Sequence, residues 1–170
     1  MGGPAISLLN STDALCFGSA DGNAEVTINS GNGPYTYQWL PSGGNASAAN
    51  GLTAGAYSVD VTDINGCLST LNVTISEPAS IVLQLSSTQA ICGNANGSAT
   101  VLANGGSGAY LYSWSNGDLT ATANALAAGN YDVTVTDANG CSTSASVSVT
   151  QPSSLAVVNA STDVTCFNGS

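Results

Sequence analysis

The chain has 170 residues, ten of them Asp or Glu, and no Lys, Arg or His, which gives a formal net charge of −10. With no imidazole or amine side chain there is no usual general base, no Ser-His-Asp or Cys-His pair, no imidazole metal ligand and no Schiff base. With no cation to neutralise phosphate, a nucleic-acid partner is excluded and an anionic membrane surface is disfavoured. The apolar fraction of 43% is ordinary for a folded globular chain, and no apolar run is long enough to insert in a membrane. Met1-Gly2-Gly3 lacks a charged segment and an apolar run, so no signal peptide is read, and the start is taken as an artificial addition or a cut inside a longer chain. One chemical consequence is direct. Trypsin cleaves after Lys or Arg, so the reduced, unfolded chain is expected to survive a full tryptic digest as one species by mass spectrometry.

The elements come in order along the chain. Pro4 precedes a short apolar run, Ile6 to Leu9. Ala24, Val26 and Ile28 alternate with Glu25 and Thr27, the period-two mark of a strand with one face buried. Asn29 to Pro34 reads as a turn, after which Tyr35, Tyr37 and Trp39 alternate with Thr36 and Gln38. The Gly- and Ala-rich stretch from Ser42 to Asn50 offers only a weak edge strand. The clearest strand comes next, with Tyr57, Val59 and Val61 on one face and Ser58, Asp60 and Thr62 on the other. Asp63 to Gly66 closes it as a turn, since Asn-Gly supplies the positive φ angles a tight hairpin needs. Cys67 opens the last strand, carried by Leu71, Val73 and Ile75. Leu52, Gly55 and Tyr57 also resemble the tyrosine corner of Ig-like and fibronectin-type sandwiches.

The pattern then recurs. Cys67 and Cys141 are 74 residues apart, as are Pro78 and Pro152, and Trp39 matches Trp114 at a step of 75. Tyr110, Tyr112 and Trp114 repeat the aromatic strand, Tyr131, Val133 and Val135 the central one, and Ala145, Val147 and Val149 the last. The prolines set the boundaries: one repeat over 4–78, a second over 79–152, and a truncated third over 153–170, which implies a longer natural chain. Short strands separated by turn residues, with no helical periodicity, predict an all-β fold of tandem Ig-like or fibronectin-like β-sandwich repeats. The short Pro-containing linkers predict stiff beads arranged end to end.

Five cysteines divide as Cys16 and Cys67, then Cys92 and Cys141, with Cys166 in the third repeat. Paired thiols at repeating positions in small loop-rich domains point to disulfides and an extracellular setting. The preferred pairing is Cys16–Cys67 and Cys92–Cys141, each closing its own repeat, with the partner of Cys166 outside the chain. The alternative register, Cys67–Cys92 and Cys141–Cys166, bridges neighbours, and buried free thiols are the plain third reading. Asp60, Asp63 and Asn65, with Asp132, Asp137 and Asn139, set hard oxygen atoms near one turn in each repeat and are candidate calcium ligands. The same Asp63 and Asp137 also suit Asx hydrogen bonds that cap their own Asn-Gly turns. The two aromatic rows suit either stacking on sugar rings or core filling.

Cys-Phe-Gly-Ser-Ala-Asp-Gly (16–22), Gly-Asn-Gly-Pro-Tyr-Thr-Tyr-Gln-Trp (31–39), the block from Leu52 to Cys67 and the Glu-Pro boundary resemble the SprB repeat. The second copy matches through residues 105–117 and 134–141 but departs after Cys92, where the Phe and Asp of the first copy are missing. The resemblance implies large repetitive surface proteins of gliding and related Bacteroidota, exported by the type IX pathway and serving as adhesins or filaments. It transfers no catalytic residue. The expected role is a non-catalytic structural or adhesive segment, with neighbouring repeats as partners, self-association into filaments, and no cofactor unless calcium. A carbohydrate- or calcium-dependent binding module of a secreted protein is the alternative.

Overall fold

The structure, a computed structural model, describes residues 2–91 and 93–152. Its first half holds β1 (Ala5–Thr12), β2 (Gly22–Ser30), β3 (Thr36–Leu40), β4 (Ala48–Leu52), β5 (Gly55–Thr62) and β6 (Leu68–Ile75). The second repeats the set as β7 (Val82–Thr88), β8 (Gly97–Asn104), β9 (Leu111–Trp114), β10 (Thr122–Leu126), β11 (Gly129–Thr136) and β12 (Ser142–Val149). In the first half β2 lies between β1 and β4, and β5 between β3 and β6. The second half pairs identically, with β8 between β7 and β10 and β11 between β9 and β12. All the pairings are antiparallel. This is the strand arrangement of an Ig constant-type sandwich with its fourth strand left out.

The alternation read in the sequence explains the layers. Along β5 the side chains of Tyr57, Val59 and Val61 are buried while Ser58, Asp60 and Thr62 face partly outward. Ala24 and Val26 from the facing sheet, with Trp39, Ala49, Leu52, Val73 and Ile75, complete the first core. The second core repeats it with Ala99, Val101, Trp114, Ala123, Leu126, Val133, Val135 and Val149. Among the described residues the two cores share none. In antibody domains a disulfide joins the strands that correspond to β2 and β5. Here that place is filled by Ala24 against Val59 and Val61, all fully buried.

The tyrosine corner is present in both copies. Tyr57 Oη donates to the Thr53 carbonyl at 3.0 Å, and Tyr131 Oη to the Ala127 carbonyl at 3.1 Å. These bonds tie the start of the central strand to the loop before it, which satisfies a carbonyl the turn would leave unpaired. The weak edge strand materialises as β4 and β10, each only five residues long, which limits the unpaired edge they present.

The two ends of each sandwich are built differently. At one end of the first, the β5–β6 turn meets the β2–β3 loop, where Ile64 N donates to the Asn32 carbonyl at 3.2 Å. At the other end the β1–β2 loop is tied to the chain leaving β6: Ala14 N donates to the Ser76 carbonyl at 2.9 Å, and Ser76 N to Asp13 Oδ1 at 2.8 Å. Cys67 lies at the first end and Cys16 at the second. The eight residues of β6 separate them, a span of about 27 Å at roughly 3.4 Å per residue. A disulfide needs Cα atoms within about 7 Å. The expected Cys16–Cys67 bridge therefore cannot form.

Candidate functional site

The junction between the sandwiches gathers the chemistry that the chain possesses. Cys16, at the far end of the first sandwich, is bonded to Cys141, in the β11–β12 turn at the near end of the second, with Cα atoms 5.7 Å apart. This corrects the cysteine expectations. Cys141 is taken by Cys16, so neither the Cys92–Cys141 nor the Cys141–Cys166 bond exists. Cys67 is a free, half-buried thiol, so it belongs to neither register. Cys92, Cys166 and the third repeat over 153–170 lie outside the described residues.

The bond is framed by polar contacts. Asn139 Nδ2 donates across the junction to the Leu15 carbonyl at 2.9 Å. Gly106 N donates to the Ala79 carbonyl at 2.8 Å, which fixes the linker against the second sandwich. At Gly105 the backbone has φ 86°, and an added Cβ would lie 2.0 Å from the Ser80 carbonyl oxygen. Only glycine fits that approach. A shallow cleft beside the disulfide is lined by Phe17, Pro78, Ile81, Asp137 and Thr143.

Asp137 organises the turn that presents Cys141. Its Oδ1 accepts from Asn139 N and Cys141 N, both at 2.9 Å, and its Oδ2 from Ser107 N at 2.8 Å. Burial works to raise its carboxyl pKa, but the N–H groups of Ser107, Cys141, Asn139 and Gly140 outweigh it and hold the group below its ordinary 3.8. A depressed carboxyl stabilises the folded state above the unfolded value, and that contribution is lost as pH falls through the lower folded value. Melting temperature tracked from pH 5 down to pH 2 is expected to fall more steeply for the native chain than for Asp137→Asn, which has no charge to lose.

Asp63 repeats the arrangement, its Oδ1 accepting from Asn65 N and Cys67 N at 2.9 Å each. Both Asp63 and Asp137 are buried. In each, Oδ1 takes two backbone N–H donors of its own turn, the Asx-turn geometry. Asp60 and Asp132 stand apart on their strands, where Asp60 accepts from Thr70 Oγ1 at 2.6 Å and Asp132 from Ser146 Oγ, the residue opposite each across the sheet. The Asn65 and Asn139 contacts involve their backbone N–H and, for Asn139, the side-chain amide nitrogen, which is not a calcium ligand. Among the described residues no three His, Cys, Asp or Glu side chains converge closely enough to hold a metal ion.

The aromatic rows turn inward at their tryptophans. Trp39 and Trp114 are each 3% exposed, and their indole N–H groups donate to the Ala46 and Thr120 carbonyls at 3.0 and 2.9 Å. Tyr35, Tyr37, Tyr110 and Tyr112 are half-buried against the same cores. Leu15, Ser107 and the side-chain amide of Asn139 are the junction contacts that sequence reasoning missed. Their signal was topological: in an Ig-type sandwich the loop after the first strand and the turn before the last lie at opposite ends.

Among known proteins, the SprB repeat model matches residues 8–46 and 85–119, one segment in each sandwich. No curated protein matches. Among solved structures, the IG1 and IG2 domains of DIP-gamma are 11% identical, with 87% of this chain and 98% of that one covered and a TM-score of 0.42. The N-terminal eight Ig domains of Down Syndrome Cell Adhesion Molecule are 10% identical, with 89% and 25% covered and a TM-score of 0.41. Domains 1–6 of the surface layer protein SbsC are 17% identical, with 89% and 28% covered and a TM-score of 0.31. All three are distant.

Proposed function

From a chain that carries two SprB repeat segments, we infer a structural segment of a large secreted cell-surface protein or extracellular filament, with no catalysis of its own. The observation that carries this reading is the Cys16–Cys141 bond, which joins separately cored sandwiches end to end. A bond in that position opposes bending and pulling apart at the linker. Disulfides persist in oxidising compartments, which supports an extracellular site of action. The absence of Lys, Arg and His removes the usual acid–base and nucleophile-activating groups. Both tryptophans of the aromatic rows are core, which weighs against the glycan-binding alternative.

Antibody raised against the chain and applied to intact producing cells tests the location; labelling only after permeabilisation overturns it. A glycan array probed with the chain tests the role. A spacer leaves the array blank, and saturable binding to one glycan class would make this a recognition module.

A further inference from the structure

The second sandwich presents a cysteine turn that is already occupied; the first presents the same turn with its thiol free. The match is close. Asn65 N and Cys67 N reach Asp63 Oδ1 at 2.9 Å, as Asn139 N and Cys141 N reach Asp137 Oδ1 at 2.9 Å. Ile64 N meets the Asn32 carbonyl at 3.2 Å, as Ala138 N meets the Ser107 carbonyl at 3.0 Å. Beside the free thiol, Ile64 and Leu68 are 64% and 55% exposed, an apolar pair at the positions of Ala138 and Ser142. The opposite ends match as well. Ala14 N and Ala90 N donate to the Ser76 and Thr150 carbonyls at 2.9 Å, and Leu15 N and Ile91 N to Asp21 Oδ1 and Asn96 Oδ1 at 3.1 and 2.7 Å.

We propose that the end face around Cys67 receives the first-cysteine loop of a preceding repeat of the same kind, with Cys67 bonded to that loop's cysteine as Cys141 is bonded to Cys16. The rule is that the first cysteine of each repeat joins the second cysteine of the next. The occupant is fixed by what already sits on the equivalent face: a loop of the Leu15–Cys16 type, whose carbonyl and sulfur meet Asn139 and Cys141. This inference concerns the covalent partner and does not depend on where the protein works.

The bond forms by exchange with an oxidised small-molecule disulfide such as glutathione disulfide. One protein thiolate attacks the reagent's S–S bond and expels a thiolate. The second protein thiolate then displaces the remaining half. Two protein thiols lose two protons and two electrons, and one reagent disulfide is reduced to two thiols.

The test joins a further copy of residues 2–152 ahead of residue 5 of the full chain, so that its Pro152 takes the place of Pro4. The product is refolded in a glutathione redox buffer, alkylated, digested with pepsin and mapped without reduction. Tethering sets an effective concentration in the mM range, so the cross-link is expected to be close to complete. A peptide pair joining Cys67 to Cys92 is expected, lost with Cys67→Ser in the full-chain part and kept with Cys67→Ser in the added copy. In the unextended chain Cys67 is expected to be alkylated. Alkylation of Cys67 in the full-chain part of the extended protein overturns the proposal. So does a Cys67–Cys92 peptide in the unextended chain, or one that survives Cys67→Ser in the full-chain part.

Discussion

Replacing Cys16 with Ser is expected to increase the stretched length of the mechanically unfolded chain about sixfold. With force applied at residues 4 and 152, the native bond short-circuits everything from 16 to 141. Only the two short outer stretches can extend, to about 80 Å at roughly 3.6 Å per residue. Without the bond the whole span opens, to about 530 Å on the same measure. Single-molecule pulling reads this directly. Cys141→Ser and chemical reduction are expected to give the long trace, and Cys67→Ser the short one, because Cys67 carries no bond within this chain. A short trace from Cys16→Ser would mean that the load runs by another route.

Trp39→Ala is expected to remove about half of the first sandwich's stability while leaving that of the second unchanged. Removing a buried tryptophan costs about 3–5 kcal/mol. A domain of this size has a net stability of only several kcal/mol, on the order of 0.1 kcal/mol per residue. Trp39 is 3% exposed and sits among Val59, Val61, Ala49 and Val26 in a core that, among the described residues, shares none with its neighbour. Hydrogen exchange is expected to show weakened protection in β2 and β5 and unchanged protection in β8 and β11. The remaining emission, from Trp114 alone, should keep its cooperative urea transition. Simultaneous loss in both halves would show that the junction couples the two cores strongly.

The sequence made the layers legible because burial and strand period coincide. Tyr57, Val59 and Val61 could be assigned to one face without coordinates, and Trp39 and Trp114 identified themselves as one per sandwich. The edge strands were faint because Ala48–Leu52 and Thr122–Leu126 have few β-branched or aromatic residues to mark them. The cysteines misled for a definite reason. Repetition says that Cys16 and Cys67 belong to one unit; it does not say which end of the unit each occupies. That comes only from the topology: four strands lie between the β1–β2 loop and the β5–β6 turn, but β3 and β4 run the same way, so the connection between them crosses back without a strand and makes the number of crossings odd. Asp63 and Asp137 were ambiguous in sequence because an Asx cap and a calcium ligand use the same carboxylate; in the structure Asp63 Oδ1 accepts from Asn65 and Cys67 N–H, and both oxygens of Asp137 accept from the Asn139, Cys141 and Ser107 N–H groups.

The Cys16–Cys141 bond also turns most of the polypeptide into a closed ring, since the two sulfurs are 125 positions apart along the chain. Hydrolysis of any one peptide bond inside a ring opens it without dividing the molecule. A protease nick at an exposed loop such as that around Asn45 or Leu119 therefore leaves both pieces tethered, and the damage becomes visible only on reduction. Severing the protein within that span takes two cuts, or the loss of the sulfur–sulfur bond together with one.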